Sequence, residues 1–358
     1  MTKKIRIAFL GSGGIARAHA VALDSLKHYY KDAPEIERVV VASPTQAHRE
    51  SFASRYGFEE ACSPDAVWER DDLDAVYLLG ANETHTPQIV NALEHPTIQR
   101  IYSEKPIAAT SEQLATLGAL LSKGHNKFVM MGFQFLQKSP IRKALAHWQS
   151  DEFGAPVHFR AEYLHSSYLS SDYRQKRTSR LAPMPLNGAA VDLGSHVLSL
   201  LTAFLGDDLT VRDVSVTNGQ IPDVPAETDL CTIALMEGTQ SGAIGTMTAS
   251  RITAGTGDQL KLELHGTKGS ILFDTAQPDC YHSFRTGGSW RRHEVNSDYL
   301  PASKFPSDYV PSGWLRALLH NHYLFLGGNP EGSFIPNLAH GVLVQRLIQQ
   351  IADQVNKR

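Results

Sequence analysis

Three short stretches hold residue types and spacings that together suit the movement of a hydride and a proton. Gly11-Ser-Gly13-Gly-Ile-Ala16 fits a G-x-G-x-x-A loop. Set between a strand and a helix, Gly11 permits the tight turn, Gly13 lets a pyrophosphate approach the backbone, and Ala16 allows close helix packing. Gly14 and Ile15 then open a helix whose free N–H groups and positive dipole end favour phosphates. Asp192-Leu-Gly194-Ser-His196 supplies the proton chemistry. Taking a hydride from an alcohol carbon needs a base for the O–H proton and a group to hold the oxygen. His196 is the expected base, because an imidazole titrates near neutrality. Asp192, four residues earlier on an expected helix, shares its face, where a carboxylate can orient the imidazole, stabilise its charged form or bond a substrate hydroxyl. Gly194 leaves room for a ligand against that helix. Glu104-Lys105-Pro106 adds a cation, Lys105, for the alkoxide oxygen, with Pro106 fixing the turn after it.

The elements that must position these groups follow from periodicity. The first third alternates β-branched runs with longer helical stretches, the pattern of a parallel sheet. Strands are expected at Ile5–Leu10, Arg38–Ala42, Ala75–Leu79, Ile101–Ser103 and Phe128–Met131, and helices near Ile15–Tyr29, Thr45–Tyr56, Pro87–Leu93 and Ser111–Ser122. Five strands with right-handed crossovers make a doubly wound sheet. After about Ser139 the texture changes. A helix (Pro140–Gln149), an extended piece (Val157–Leu164) and a helix around Val191–Phe204 precede strands at Val211–Thr217, Leu230–Met236, Ala243–Ser250, Gln259–Leu264 and Ser270–Phe273. Helices near Trp314–Phe325 and Asn337–Asn356 close the chain. Successive strands without intervening helices imply a mostly antiparallel sheet. The expected fold is α/β: a Rossmann dinucleotide-binding domain over 1–136, then an α+β substrate-binding and oligomerisation domain over 137–358 built on one large open sheet.

At the end of the second strand, where an NAD site usually offers a carboxylate to the ribose 2′-OH, the chain reads Ala42-Ser43-Pro44-Thr45. Ser43 and Thr45 can bond a 2′-phosphate and Arg49, one turn on, can supply charge, which favours NADP over NAD. The plainer alternative is that these residues only cap the following helix. Between Tyr163 and Arg174 lie aromatic and hydroxyl groups suited to a polyhydroxylated ligand. Tyr163 and His165 alternate along a strand and face one side. Arg174, with Lys176, Arg177 and Arg180 behind it, can meet an anionic substituent or can simply be a solvated basic loop. A metal is not expected: Asp192 and His196 could be half of a divalent site, but His165, His320 and His322 show no ligand spacing with a third residue, and His320-Asn-His322 would splay apart on a helix.

The order and spacing of the glycine loop, Glu104-Lys105-Pro106 and Asp192-Leu-Gly194-Ser-His196 resemble those of the glucose-fructose oxidoreductase, inositol dehydrogenase and MocA family, essentially over the whole chain. The resemblance implies oxidation or reduction of a sugar or polyol carbon, with Lys105, Asp192 and His196 in the family's catalytic positions and Lys105 bridging substrate and nicotinamide ribose. Gly80-Ala81-Asn82-Glu-Thr-His85 stands where the family shows T-P-N-x-x-H, so Asn82 and His85 carry over as cofactor-side residues, as do Glu104 and Lys105. The Thr and Pro of that segment are replaced. In Gly132-Phe-Gln134-Phe-Leu-Gln-Lys-Ser-Pro140, Gln134 faces the nicotinamide, while the family's arginine before the proline is missing. A homodimer or homotetramer through the open sheet is a further implication of the resemblance.

Composition limits the rivals. The chain has 358 residues, 42% hydrophobic and 20% charged, enough apolar material for two ordered cores. A net charge of −3 offers no basic excess for nucleic acid or an anionic membrane. Three scattered cysteines, Cys62, Cys231 and Cys280, make neither a disulfide framework nor a metal clamp and point to a reducing compartment. The apolar run Ile7–Leu10 is too short for a signal peptide, so a cytoplasmic protein is expected. The reading is therefore an NAD(P)-dependent oxidoreductase of a sugar or polyol alcohol. Its alternatives are a non-catalytic dinucleotide-binding regulator of the same fold and a redox-neutral NAD-dependent glycosidase.

Overall fold

A computed structural model describes residues 4–295, 299, 313–328 and 333–357. They fall into two compact units. The first takes the chain up to Gln137 and, later, Gly313–Gly341. In it β1 (Ile5–Leu10), β2 (Ile36–Ala42), β3 (Glu60–Cys62), β4 (Ala75–Leu78), β5 (Arg100–Ser103) and β6 (Phe128–Met131) form one sheet in the order β3-β2-β1-β4-β5-β6. All pairs are parallel. Strands buried on both faces read as continuous apolar runs, as β4, Ala75-Val-Tyr-Leu78, does. The sixth strand, β3, was not expected from sequence: Glu60-Ala-Cys62 is three residues long, carries no β-branched run, and forms by pairing in register with Val40–Ala42.

Helices α1 (Gly14–Tyr29), α2 (Gln46–Tyr56), α3 (His85–Glu94) and α4 (Ser111–Lys123) are the crossovers. The inner face of α1 is Ala16, His19, Ala20, Leu23 and Leu26, a helical stripe with one polar intruder. The strand order reverses between β1 and β4, so the crevice outside the carboxyl ends opens there. Helix α8 (Gly313–Phe325), assigned from sequence to the domain beginning at 137, belongs to the first unit instead. The reason is its apolar content: Leu318, Leu319, Tyr323, Leu324 and Phe325 join Phe9, Tyr77 and Tyr102 in one buried cluster. Arg100 also donates to the carbonyl of Phe325 at 2.8 Å.

In the second unit α5 (Ser139–Trp148), β7 (Pro156–Leu164), a short α6 (Ser171–Gln175) and α7 (Ser195–Leu205) precede β8 (Leu209–Thr217), β9 (Cys231–Gly238), β10 (Ile244–Ser250), β11 (Gln259–Gly266), β12 (Gly269–Asp274), β13 (Cys280–Arg285) and β14 (Arg291–Glu294). The eight strands run β14-β13-β12-β11-β7-β10-β9-β8; β7 and β10 are parallel and the other pairs antiparallel. The last two in chain order were not anticipated, because Cys280–Arg285 shows little alternation and Arg291–Glu294 is a short, charged edge segment. Helix α9 (Leu338–Asn356) belongs to this unit from Val342 onward. Its Gln350 Oε1 accepts the backbone N–H of Val211 at 2.9 Å. The inward side of the sheet is apolar, with Phe159, Ala161, Ala234, Met247, Leu260, Leu262 and Phe273 all buried. The other side exposes Ile233, Leu235 and Ile244 beside ion pairs that Glu263 makes with Arg160 and Lys261. Among the described residues no helix is long and apolar enough to cross a membrane.

Candidate active site

The glycine loop joins β1 to α1 under tight backbone constraint. Gly11 has φ +128°, and a Cβ on it would lie 2.5 Å from the carbonyl oxygen of Leu79, so only glycine fits without moving β4. Gly13 and Gly14 face open space. Gly13 caps α1 without any side-chain hydrogen bond, and the first turn of the helix, which includes Ile15, contains no acid. These open N–H groups and the dipole end fit the pyrophosphate of a dinucleotide.

Ser43, at the end of β2, is buried and its hydroxyl accepts from Ser12 Oγ at 3.0 Å. Thr45 precedes α2 but its side chain makes no capping bond. Arg49 folds back so that Nη1 donates to the carbonyls of Ser43 (2.9 Å) and Pro44 (3.3 Å). Its guanidinium is thereby held at the strand end. Asn82 is buried in the turn after β4. His85 is buried as well, and its Nδ1–H donates to the Pro106 carbonyl at 2.6 Å. Burial pushes its pKa down, so the ring is a neutral strut that ties α3 to the turn carrying Lys105. The Lys105–Pro106 bond is cis and Lys105 is half-buried. Glu104 is buried against Gly132, where a Cβ would overlap its carboxylate. His19 Nε2 lies 3.1 Å from Glu104 Oε1, and His19 Nδ1 lies 2.9 Å from His322 Nε2. His320 turns elsewhere, to Tyr30 at 2.7 Å, so the two α8 histidines do splay apart. Gln134 is buried, and its Oε1 has no hydrogen-bond partner among the described residues.

The second unit assembles its own cluster. The segment before α7 is not regular helix: Ala190–Gly194 forms a π turn, so Asp192 and His196 are not the simple i, i+4 pair expected. Two contacts flank the widened turn. Asp229, fully buried, accepts the N–H of Ala190 at 2.8 Å, and Gly194 packs so closely that a Cβ would meet Met247 Cε at 3.3 Å. The Asp192 carboxylate points to Arg251, whose Nη2 donates to Oδ2 at 2.9 Å, and Arg180 Nη1 lies 3.5 Å from Oδ1. His196 is buried, its ring centroid 5.9 Å from that of Tyr163. Tyr163 and His165 are both buried, as their alternation implied, with the intervening Leu164 less so. Tyr163 donates its hydroxyl to Asp258 at 3.2 Å. His165 Nδ1 accepts the N–H of Ser167 at 3.2 Å and burial lowers its pKa, which leaves Nε2 as the protonated nitrogen of a neutral ring.

Arg174 departs from its expected role. It is buried and donates to the carbonyls of Tyr168, Leu169 and Pro222 at 2.8, 3.1 and 3.3 Å, so its charge holds the loop together and is not offered to an anion. Arg251, Asp229, Asp258 and His19 were missed from sequence. Each is an isolated polar residue, and nothing in its neighbours along the chain says which distant partner it meets. Asp258 does sit in a Thr-Gly-Asp turn, with φ +50°, the kind of local signal that marks a strained loop. Among the described residues no three His, Cys, Asp or Glu side chains converge as a metal site.

Two family models match the chain. That of the GFO/IDH/MocA oxidoreductase family, NAD-binding Rossmann fold, covers residues 5–133, and that of the GFO/IDH/MocA C-terminal domain covers 141–272. A levoglucosan dehydrogenase of Pseudarthrobacter phenanthrenivorans is 24% identical across 99% of this chain and 97% of its own. A dTDP-3,4-didehydro-2,6-dideoxy-alpha-D-glucose 3-reductase of Saccharopolyspora spinosa is 28% identical across 62% of each. Among solved structures, a levoglucosan dehydrogenase in complex with NADH and levoglucosan superimposes with TM-score 0.84 at 20% identity, over 99% of this chain and 98% of that one. An inositol dehydrogenase homolog of Azotobacter vinelandii complexed with NAD+ gives 0.81 at 20% identity, over 100% and 96%. At such identities the superpositions establish the shared fold.

Asp229 yields a test of the cluster. Burial raises its pKa from 3.8 to about 6. An acid whose folded pKa is raised contributes stability that is full below the unfolded value and is lost as pH rises through the folded one. Stability should therefore fall between about pH 4 and pH 6, by on the order of 3 kcal/mol from this group. In Asp229→Asn that part of the fall should vanish, read as the difference between the two proteins' urea midpoints across this range.

Proposed function

The chain belongs to the Gfo/Idh/MocA family of oxidoreductases, and from that premise we propose that it moves a hydride between a secondary alcohol or ketone carbon of a sugar, polyol or sugar derivative and a nicotinamide dinucleotide. The supporting observation is the uncapped, acid-free start of α1 behind Gly11 and Gly13, in a chain matched by both of the family's domain models. The relatives named for levoglucosan and for a dTDP-sugar support a carbohydrate substrate.

The nicotinamide ring supplies or takes the hydride when bound; the chain's residues handle the rest. Gly11, Gly13, Gly14 and Ile15 hold the pyrophosphate, Asn82, His85, Glu104 and Gln134 line the cofactor side, and Lys105 steadies the substrate oxygen. His196 takes the hydroxyl proton in the oxidative direction and returns it in reduction. Asp192, Tyr163 and His165 bond the remaining hydroxyls. NADP is the preferred cofactor in this reading. Support for that comes from Ser43 in place of a carboxylate and from Arg49 held at the end of β2; a guanidinium there meets a 2′-phosphate well and a bare 2′-hydroxyl poorly. The apolar open face around Ile233, Leu235 and Ile244 supports a homodimer or homotetramer.

The direct experiment offers levoglucosan, myo-inositol, glucose and sugar acids with NAD and NADP separately and follows the reduced-nicotinamide absorbance. Turnover is expected with at least one sugar or polyol; silence throughout, with a dinucleotide bound, would overturn the reading. His196→Ala should lower kcat by about 10²–10⁴-fold and leave dinucleotide affinity unchanged. Arg49→Ala should weaken NADP by about tenfold or more while NAD affinity stays put, and an equal loss for both would remove the 2′-phosphate argument. Leu235→Lys should shift the protein towards monomer in sedimentation, and an unchanged mass would move the interface elsewhere.

A further inference from the structure

Arg251 lies just beyond β10 with its side chain fully enclosed. A guanidinium taken out of water must have its charge and its N–H groups met, or the fold loses several kcal/mol. Nη2 donates to Asp192 Oδ2 at 2.9 Å, Nη1 donates to the carbonyl of Arg180 at 2.8 Å, and the group sits 4.5 Å from the ring centre of Tyr168. Nε has no acceptor among the described residues. Asp192 is thus the carboxylate that Arg251 contacts directly, and the backbone clamp on Arg180 together with the tyrosine face leaves the fork little freedom to turn.

Asp192 is placed differently. Its side chain is 22% exposed, one oxygen held by Arg251 and the other 3.5 Å from Arg180. Among the described residues, the charged and titratable groups near it include Arg251, Arg180, Tyr163, His165 and Tyr168, with His196 four residues on. None of these is a second carboxylate, and two are permanent cations. Asp229, buried in the same unit and bonded to the neutral donors of Ala190 and Thr232, shows the contrast: burial raises its pKa even though the more distant charge of Arg251 pulls it down. Asp192, held by a guanidinium, and Asp229, buried against neutral donors, therefore meet opposite influences on their charge.

Resting on the reading of Asp192 as a substrate residue, we propose that Arg251 is a positioning residue that keeps the Asp192 carboxylate ionised and aimed, so that Asp192 acts as a fixed hydrogen-bond acceptor and not as a proton donor. A fixed anion can hold a substrate hydroxyl or favour a charged imidazole at His196, and it leaves proton transfer to the histidine. The ion pair also ties the end of β10 to the π turn before α7, so the carboxylate's direction is set by the sheet and not by its own rotamer.

The test separates the ion pair from the function. In protein carrying 13C-labelled aspartate carboxyl groups, the Asp192 resonance is assigned by its loss in Asp192→Asn and titrated without substrate. Arg251→Gln should move its midpoint up by about one pH unit or more. The same variant should lower kcat/KM for levoglucosan, or for whichever of the sugars above turns over, by about 10–100-fold, with the acidic limb of the pH profile moved up and dinucleotide affinity unchanged. Adding Arg251→Gln to Asp192→Asn should cost little more. Arg251→Lys keeps the charge but not the fork; it should turn over at an intermediate rate, and it carries the test if the glutamine variant does not fold. A midpoint and acidic limb unmoved in Arg251→Gln, or wild-type turnover in folded Arg251→Lys, overturns the proposal. A moved midpoint with wild-type turnover in Asp192→Asn leaves the ion pair standing but overturns the placement of Asp192 in the site, and the positioning role falls with it.

Discussion

The nucleotide unit depends on how closely the backbone at Gly11 passes the carbonyl of Leu79. Four strand ends are laced around that crossing: the Gly11 N–H donates to Ala42 at 2.8 Å, the Leu79 N–H to Leu10 at 2.8 Å, and the Glu104 N–H to Leu78 at 2.9 Å. Because β1, β2, β4 and β5 are parallel, their carboxyl ends open on one edge. Residues scattered from Gly13 to Lys105 are delivered there without any of them being close in sequence. A side chain at position 11 would have to part β1 from β4, and with them the start of α1 and the turn that carries Lys105.

The same edge is braced from below by buried polar contacts. His85 holds the Pro106 carbonyl, and Thr86 holds that of Ile107 at 2.6 Å. Glu104 lies against Gly132 with His19 and His322 behind it. Burying such groups is costly unless each finds a partner, so the contacts fix one arrangement of the turn. In the second unit the equivalent task falls to charge. Asp229 holds the first N–H of the π turn and Arg251 holds the carboxylate of Asp192. Gly188, with φ +110° and its Cα against the Asp229 carboxyl, is the backbone feature that lets that acid come so near.

Much of this was legible in the chain. The glycine loop, the β-α alternation and the change of texture after Ser139 each rest on local chemistry: turn geometry, the 2.0 and 3.6 residue periods, and the scarcity of helix between successive strands. Tyr163 and His165 were placed on one face by alternation alone, and His320 and His322 were separated by helical geometry. The errors have a common origin. Strands β3, β13 and β14 are short or polar and exist because a neighbouring strand offers them hydrogen bonds. Helix α8 joins the first unit because its apolar face matches Phe9, Tyr77 and Tyr102, a preference that sequence distance conceals. Arg174 read as a free cation because the three carbonyls that consume it lie in other turns.

By itself, then, the sequence determined the class of fold, the glycine loop proposed for the phosphates and the candidate residues for hydride and proton transfer, since those depend on what a residue type can do and on its immediate neighbours. Only the tertiary structure decided how the charges are paired. Arg251 and Asp192 are 59 residues apart and Asp229 and Ala190 are 39 apart, and no periodicity links them. Whether a carboxyl group is an ionised acceptor or a raised, protonation-prone acid is set by burial and by the nearest opposite charge, and both are properties of packing that the linear chain does not carry.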